Sequence, residues 1–186
     1  MSTVAHISLD HFERLVNAGF FEGEFRKRVE LIRGEMLDMS PIGSPHSEIV
    51  DRITAWSFKA VADLQIRVRV QNPVRIPAND SEPEPDVVWV AAGNYAQRHP
   101  QPEEVLLLIE VAENSLAFDR RTKLAVYAEA GIAEYWIVNL LDEQIETHRE
   151  PVGLQYRRKS IYRGNDAVSP NAMPSASLVP AQLFSL

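Results

Sequence analysis

The chain has 186 residues, of which 45% are hydrophobic and 24% charged, with a formal net charge of −7 and no cysteine. Since domains average roughly 150 residues, this length predicts one domain spanning residues 1–186. The absence of cysteine excludes a disulfide scaffold and a Cys-ligated metal site, and the acidic balance argues against a protein that coats nucleic acid non-specifically.

The first third of the chain predicts a helix, a β-hairpin and a second helix. Apolar side chains recur on one helical face from residue 8 to about residue 20. Two alternating runs, 29–32 and 35–39, flank the pair Arg33-Gly34, which is typical of a hairpin turn. After a Pro- and Ser-rich loop, helical spacing of apolar residues predicts a helix from about residue 46 to 62.

The rest of the chain predicts strands around one further helix. The runs 66–70 and 74–76 predict two strands or one bent strand, and further strands are expected at 86–90, 105–111, 134–138, 144–149 and 154–156. The helix is expected from Asp119 to Ala130, with Gly131 as its stop. From residue 163 onward we expect a short strand and an irregular tail, which Leu178 and Phe184 could anchor. This order predicts the α/β (α+β type) class, a sheet with helices on its faces.

The sequence predicts neither a membrane span nor a secretory signal. No apolar run approaches the roughly 20 residues that a membrane helix needs. The N-terminus also lacks the charged-then-apolar layout of a signal peptide. We therefore expect a cytoplasmic protein with no membrane partner.

Two acidic residues stand at the borders of apolar strands. Asp86 begins a strand directly after Pro85, and Glu110 lies near the end of the leucine-rich strand 105–111. A carboxylate in such a place is costly unless it is paired or metal-bound, and two of them on neighbouring strands could converge on one hard divalent cation. Alternatively, Asp86 caps a turn and Glu110 reaches solvent or an arginine.

Lys123 is the third candidate for the same site. It lies in the first turns of the helix that follows Glu110, and a helix folding back on that strand could aim its ammonium at the two carboxylates. There it could orient an attacking water or offset charge that builds up on a phosphate. The alternative is a surface lysine beside Asp119 and Arg120.

Several segments together are specific enough to suggest a family. They are Pro85-Asp86, Ile109-Glu110-Val111, Ser115-Leu116-Ala117-Phe118-Asp119 with Lys123 and Tyr127, Gly131-Ile132 leading to Glu134-Tyr135-Trp136-Ile137-Val138, and the early Val29-Glu30-Leu31-Ile32-Arg33-Gly34-Glu35 with His46. Through them the chain resembles the Uma-type family of restriction-endonuclease-like proteins, in the PD-(D/E)XK nuclease superfamily. The resemblance covers about residues 8–160, which would be the core, and leaves a short C-terminal extension.

The resemblance implies a restriction-endonuclease-like core, a mixed central β-sheet flanked by helices. It also implies that Asp86 and Glu110 are ligands of Mg²⁺ or Mn²⁺, with the backbone carbonyl of Val111 as a further ligand. The commoner superfamily pattern has a lysine two residues after the glutamate, where this chain has Ala112. Lys123 matches the lysine that this family carries on the next helix.

The same resemblance suggests two secondary candidates, Glu30 and His46. Both could lie beside the metal as supporting residues or extra ligands. His46 could equally be a capping or partly exposed histidine at the start of a helix. Asp119 stays outside the predicted primary site, because it could pair with Lys123 or Arg120 instead.

The leading hypothesis is a metal-dependent endonuclease that hydrolyses phosphodiester bonds of nucleic acid, DNA in particular, and acts as a homodimer. Basic residues could hold the backbone phosphates or could be solvated surface charges; they are Arg26, Lys27, Arg28, Arg120 and Arg121. The rival hypothesis is a non-catalytic binding or assembly module that keeps the nuclease fold. A small-molecule hydrolase using Glu and His ranks last, because no substrate pocket is apparent in the sequence.

Overall fold

The computed structural model describes residues 5–22, 28–62 and 65–185, and a six-stranded β-sheet crosses the centre of this part of the chain. The strands are β1 (Val29–Ile32), β2 (Glu35–Asp38), β3 (Ile66–Val70), β4 (Val87–Ala91), β5 (Val105–Ala112), β6 (Glu134–Asn139), β7 (Gln144–Val152) and β8 (Gln155–Arg163). The α-helices are α1 (Leu9–Asn17), α2 (Ser44–Ala60), α3 (Leu116–Phe118), α4 (Leu124–Glu129) and α5 (Pro180–Phe184). A π-helical turn, Asp119–Lys123, joins α3 to α4.

The central sheet is mixed and follows the order of the chain. Its strands run β3-β4-β5-β6-β7-β8, and every neighbouring pair is antiparallel except β5 and β6. Parallel neighbours need a crossover, and here it consists of α3, the π-helical turn and α4. The predicted fold class, a mixed sheet flanked by helices, is confirmed.

One face of the sheet packs against α2. Ile49 and Ile53 of this helix are buried in a cluster with side chains of β4, β5 and β6. Trp56 stacks on Trp89 and Trp136, with ring centroids 5.2 and 6.0 Å away. Alternate residues of the buried strands therefore face α2, and the residues between them face the opposite side.

The opposite face packs against α4. Val126 and Tyr127 are fully buried there against Leu108 and Tyr135, and the rings of the two tyrosines meet edge to face at 5.0 Å. Glu110 of β5 and Lys123, directly before α4, meet on this face at 2.9 Å, so this face positions the centre of the candidate site.

The predicted hairpin forms the small sheet of β1 and β2. Arg33 and Gly34 both have positive φ, 52° and 76°, which is what a two-residue type I′ turn requires. Reciprocal backbone hydrogen bonds between Leu31 and Glu82, 3.4 and 2.7 Å, attach β1 to the segment that precedes β4. The hairpin is thereby fastened beside the start of β4.

The predicted strand 74–76 does not exist, and only an isolated bridge joins Ile76 to Ser81. Successive amides in this stretch donate to different loops, Val74 to Pro83 and Arg75 to Pro100, with N···O distances of 3.0 and 2.9 Å. Val74 and Ile76 are fully buried, but in an irregular segment. Burial of apolar side chains rather than strand pairing explains their pattern.

Other boundaries also differ from the predictions. The third predicted helix begins at Leu116, before Asp119, and contains the π-helical turn. Strands β7 and β8 are longer than predicted. Each has nine residues and pairs with the other along its length, and these backbone hydrogen bonds extend both strands despite their polar sequence. In the tail, Leu178 bridges to Val168 and Leu183 of α5 packs against the face of α2.

No helix within the described ranges is long and apolar enough to cross a membrane. The division of the chain into one core and a short C-terminal extension stays a prediction. The tail nevertheless contributes Val168, Leu178 and Leu183 to the buried cluster beneath α2.

Two glycines with positive φ allow a test of the hairpin turn. A Cβ on Gly34 would lie 3.0 Å from the backbone oxygen of Ile7, whereas a Cβ on Gly153, in the β7–β8 turn, would meet nothing within 4 Å. Gly153→Ala should therefore lower the free energy of unfolding only by the strain of a left-handed alanine, about 1 kcal/mol. Gly34→Ala should lower it clearly more, because its Cβ would also collide with the backbone oxygen of Ile7. Urea unfolding of the two variants measures the difference, and equal losses would contradict the assigned contact.

Candidate active site

The sheet register brings Asp86 and Glu110 together. In the antiparallel pair β4–β5, Val87 lies opposite Ile109, so Asp86, directly before β4, continues the ladder opposite Glu110. Opposed residues of an antiparallel pair project to the same face, here the face of α4. Both residues are almost completely buried, with 7% and 4% of their surface exposed.

Asp86 is held by three different donors. Its Oδ2 accepts a hydrogen bond from the amide of Val111 at 2.9 Å and lies 3.2 Å from Nε2 of His46. Its Oδ1 accepts from the side-chain amide of Gln71 at 3.3 Å. Burial raises the pKa of Asp86, but the hydrogen bond and charge of His46 and the Val111 amide outweigh it, so the net pKa is lowered. Asp86 is consequently ionised.

The same contact with Asp86 raises the pKa of His46. Burial lowers the pKa of its imidazole, but the hydrogen bond and charge of Asp86 and the backbone of Val111 outweigh burial and raise it overall. His46 lies in the first turn of α2, whose N-cap is Gly43. The start of this helix therefore delivers a ring that stabilises the charge of Asp86.

Lys123 connects Glu110 to the hairpin. Its Nζ donates to Oε1 of Glu110 and to Oε1 of Glu30, each at 2.9 Å, and all three side chains are buried. Tyr127 donates its hydroxyl to the same Glu110 oxygen at 2.7 Å, and the amide of Glu84 donates to Glu30 at 2.9 Å. One ammonium thus joins β1, β5 and the π-helical turn.

The π-helical turn also brings in Asp119, which the sequence prediction left out of the primary site. Asp119 is buried, and its Oδ2 accepts a hydrogen bond from the hydroxyl of Ser115 at 2.5 Å. Arg120, the next residue, leaves the site and pairs with buried Glu146 on β7. This ion pair attaches the turn to the sheet.

Negative charge is in excess at the site. Four buried carboxylates surround one ammonium; they belong to Glu30, Asp86, Glu110 and Asp119. Burial raises the pKa of Glu110 to about 8, with Lys123 offsetting part of this rise and the other carboxylates adding to it. Burial likewise raises the pKa of Asp119 to about 6. The pKa of Lys123 is raised because its carboxylate neighbours outweigh its burial, so it remains a cation.

The charged residues line a cavity of about 620 Å³. The hairpin, the loop before α2, the end of β5 and the π-helical turn contribute its walls. Apolar side chains, among them Leu37, Ile42 and Phe118, form the rest of the lining. The cavity therefore combines a concentrated acidic wall with an apolar one.

The donor chemistry at this cavity fits a hard divalent cation. Asp86, Glu110 and the backbone of Val111 offer oxygen atoms, and the uncompensated carboxylate charge favours a bound cation. Within the described residues, no three His, Asp or Glu side chains form a metal-ligating group by themselves. Backbone and water oxygens would have to complete the shell, as Mg²⁺ commonly requires.

All six residues singled out from the sequence line this one cavity; they are Glu30, His46, Asp86, Glu110, Val111 and Lys123. Their catalytic and metal-binding roles stay predictions. Asp119 and Tyr127 lie one helical turn before and after Lys123, a spacing that could have identified them. Gln71 follows β3 in irregular backbone, and no sequence pattern indicates its contact with Asp86.

The described residues include three of the five basic residues suggested for phosphate binding, Arg28, Arg120 and Arg121. Arg26 and Lys27 lie outside the described residues. Arg28 pairs with Glu84 at 2.8 Å, and Arg120 pairs with Glu146. Of the five, two are therefore already engaged by carboxylates.

Comparison with known proteins agrees with this architecture. The Uma2 family, described as a putative restriction endonuclease, matches residues 10–181. A crystal structure of a putative nuclease belonging to DUF820 from Anabaena variabilis is similar in fold, with a TM-score of 0.75 and 16% sequence identity over 96% of this chain and 98% of that chain. A search of curated proteins found no match.

Replacing Lys123 tests the buried charge cluster. Lys123→Met should destabilise the metal-free protein by about 3–5 kcal/mol near pH 8, because Glu30 and Glu110 remain buried without a counter-charge. The pKa of folded Glu110 already lies above its ordinary value of 4.5, so protonation favours the folded state and stability falls as pH rises between 4.5 and about 8. The loss should accordingly be smaller near pH 5.

Urea unfolding in EDTA at both pH values measures this effect. Lys59→Met, at an exposed position of α2, is the matched control and should change stability little at either pH. A pH-independent loss in Lys123→Met, or none, would contradict the assigned role of the ammonium.

Proposed function

We propose that this chain, which belongs to the Uma2 family, is a metal-dependent endonuclease that hydrolyses phosphodiester bonds of nucleic acid, with DNA as its substrate. The single observation that carries the proposal is the adjacency of buried Asp86 and Glu110 with the ammonium of Lys123 at one cavity. Paired carboxylates next to a cation suit phosphoryl transfer. A nucleophile must approach an anionic phosphate there, and the negative charge of the transition state must be stabilised.

The metal would be Mg²⁺ or Mn²⁺, held by the carboxylates of Asp86 and Glu110 and by the backbone carbonyl of Val111. When bound, such an ion polarises the phosphate and lowers the pKa of a coordinated water. Glu110 keeps both of its described hydrogen bonds on Oε1, from Lys123 and Tyr127. This arrangement orients the carboxylate and leaves Oε2 without a bond from the described residues.

Lys123 acts as a fixed positive charge. Its pKa is raised, so it stays protonated at neutral pH and is unsuited to serve as a general base. Held by Glu30 and Glu110, the ammonium can donate to the attacking water or to a phosphate oxygen as charge develops. Glu30 thus acts through Lys123, and His46 acts through Asp86.

The setting of the reaction is also part of the proposal. We expect the protein to act in the cytoplasm as a homodimer, since two copies related by a two-fold axis would present two sites to a duplex. The rival hypothesis is a nuclease-fold module without turnover. It predicts the same fold but no cleavage of DNA at this cavity.

Cleavage of supercoiled plasmid DNA in Mn²⁺ or Mg²⁺ tests the activity. Asp86→Asn and Glu110→Gln should each reduce nicking by at least about a hundredfold, because each removes a charged oxygen donor while preserving shape. Asp51→Asn, on the exposed side of α2, is the matched control and should cleave like the wild type. Wild-type nicking by Asp86→Asn would defeat the assignment.

Metal binding separates the endonuclease from the rival module. At a metal concentration of about a hundred times Kd, binding should add about 2.7 kcal/mol to the stability of the wild type, seen as a rise in Tm. Asp86→Asn should show no such rise, and Asp51→Asn should show the full one. A wild type whose Tm and calorimetric heat are unaffected by either ion would favour the non-catalytic module.

A further inference from the structure

Three arginines surround the ring of Tyr95 beside the outer strand β3. The guanidinium carbons of Arg67, Arg69 and Arg98 lie 5.8, 5.5 and 5.3 Å from the ring centroid. Tyr95 itself is buried and donates its hydroxyl to the backbone of Ala91 at 2.8 Å, so its ring is held in place. Cation–π contacts of this kind hold the guanidinium groups in preferred positions before any ligand arrives.

The positive charge of this cluster is only partly balanced. Arg98 forms two hydrogen bonds of 2.6 Å with Glu104, which neutralises it. Among the described residues, no carboxylate forms an ion pair with Arg67 or Arg69. Arg69 donates to the side-chain oxygen of Asn72 at 3.3 Å, and its buried Nε has no partner in that part of the chain.

The pKa of Arg69 shows the same lack of compensation. Burial lowers it, and the charge of Arg67 lowers it further. Two like charges two residues apart on one strand repel each other, and an anion between them would relieve that repulsion. The cluster therefore favours an anionic ligand on electrostatic grounds as well as by its geometry.

Arg67 and Arg69 project on the face that contains the candidate active site. Arg67 pairs with Val90 and Arg69 with Val88 in the β3–β4 ladder, and both valines pack in the core beneath α4. Directly after β3, Gln71 donates its side chain to Asp86. Arg67 and Arg69 on β3, followed by Gln71 directly after the strand, thus lie in order toward the catalytic aspartate of the proposed function.

We infer that Arg67 and Arg69 bind the phosphate backbone of the nucleic-acid strand that enters the active site. This inference rests on the proposed function for its ligand. Alternate residues of a strand lie roughly 7 Å apart, which is close to the distance between neighbouring phosphates along one nucleic-acid strand. Arg69 and Arg67 would therefore contact successive phosphates beyond the one beside Asp86.

A different role for these arginines is protection of the sheet edge. Charged side chains on an outer strand prevent pairing with other chains, and β8, at the other edge, also carries exposed arginines, Arg157 and Arg158. Edge protection alone predicts that removing Arg67 and Arg69 promotes association and leaves DNA affinity unchanged. The β8 pair therefore serves as a matched control.

The test is fluorescence anisotropy with labelled duplex DNA, single-stranded DNA and RNA, in EDTA so that binding is separated from cleavage. The double variant R67Q/R69Q should bind roughly tenfold more weakly, and the slope of log K against log salt should fall by about two units. R67K/R69K should regain most of the affinity, because lysine restores the charge. R157Q/R158Q should bind like the wild type, and all variants should have wild-type Tm.

The outcomes distinguish this inference from the proposed function. Equal affinity of R67Q/R69Q and wild type, equal loss in R157Q/R158Q, or no binding of any of the three probes by the wild type would overturn the inference. Arginine-dependent binding without metal-dependent cleavage would support it and count against the endonuclease. Association of R67Q/R69Q on size exclusion with unchanged affinity would favour edge protection and overturn the inference.

Discussion

A single buried ammonium joins parts of this chain that lie far apart in sequence. Lys123 contacts Glu110 on β5 and Glu30 on the hairpin, both at 2.9 Å. Any one of these groups would be costly to bury alone, and only their mutual contact makes the burial tolerable. The positions of the hairpin, β5 and the π-helical turn therefore depend on one another, and so does the shape of the cavity between them.

The same contact leaves the site under-compensated. One ammonium cannot neutralise four carboxylates, and burial first, with repulsion between the carboxylates second, raises the pKa values of Glu110 and Asp119. A protein selected for stability alone would favour apolar residues here, since buried charge rarely stabilises a fold. Charge retained at this cost is typical of a functional site, and it matches the requirement of a hard cation.

The rest of the architecture supports this cluster. The antiparallel β4–β5 register puts two carboxylates side by side, and the parallel step from β5 to β6 requires a crossover that returns over the same face. Arg120 attaches that crossover to Glu146 on β7. The fold neighbour with 16% identity is similar in overall fold over nearly its whole length, so this fold tolerates wide differences in sequence.

The sequence by itself determined the elements and the identities of the residues at the site. The apolar run of β5, the Arg33-Gly34 turn and the acidic residues at strand borders are local patterns, and local patterns report backbone preference and burial directly. They predicted the hairpin, the fold class and three residues of the site, Asp86, Glu110 and Lys123, whereas Glu30, His46 and Val111 are indicated only by the family resemblance. Asp119 lies four residues before Lys123, and this helical spacing already indicates that the two side chains share one face.

Only the tertiary structure decided what the local patterns leave open. The irregular segment at 74–76, the contact of Gln71 with Asp86 and the arginines around Tyr95 all depend on partners distant in the chain. The sequence of a β-branched run does not reveal whether its amides will donate to a neighbouring strand or to two loops. Nor does the sequence around an arginine reveal whether a carboxylate will lie next to it in the fold. The physical reason is that pairing and charge compensation are properties of the folded arrangement, whereas propensity belongs to each segment alone.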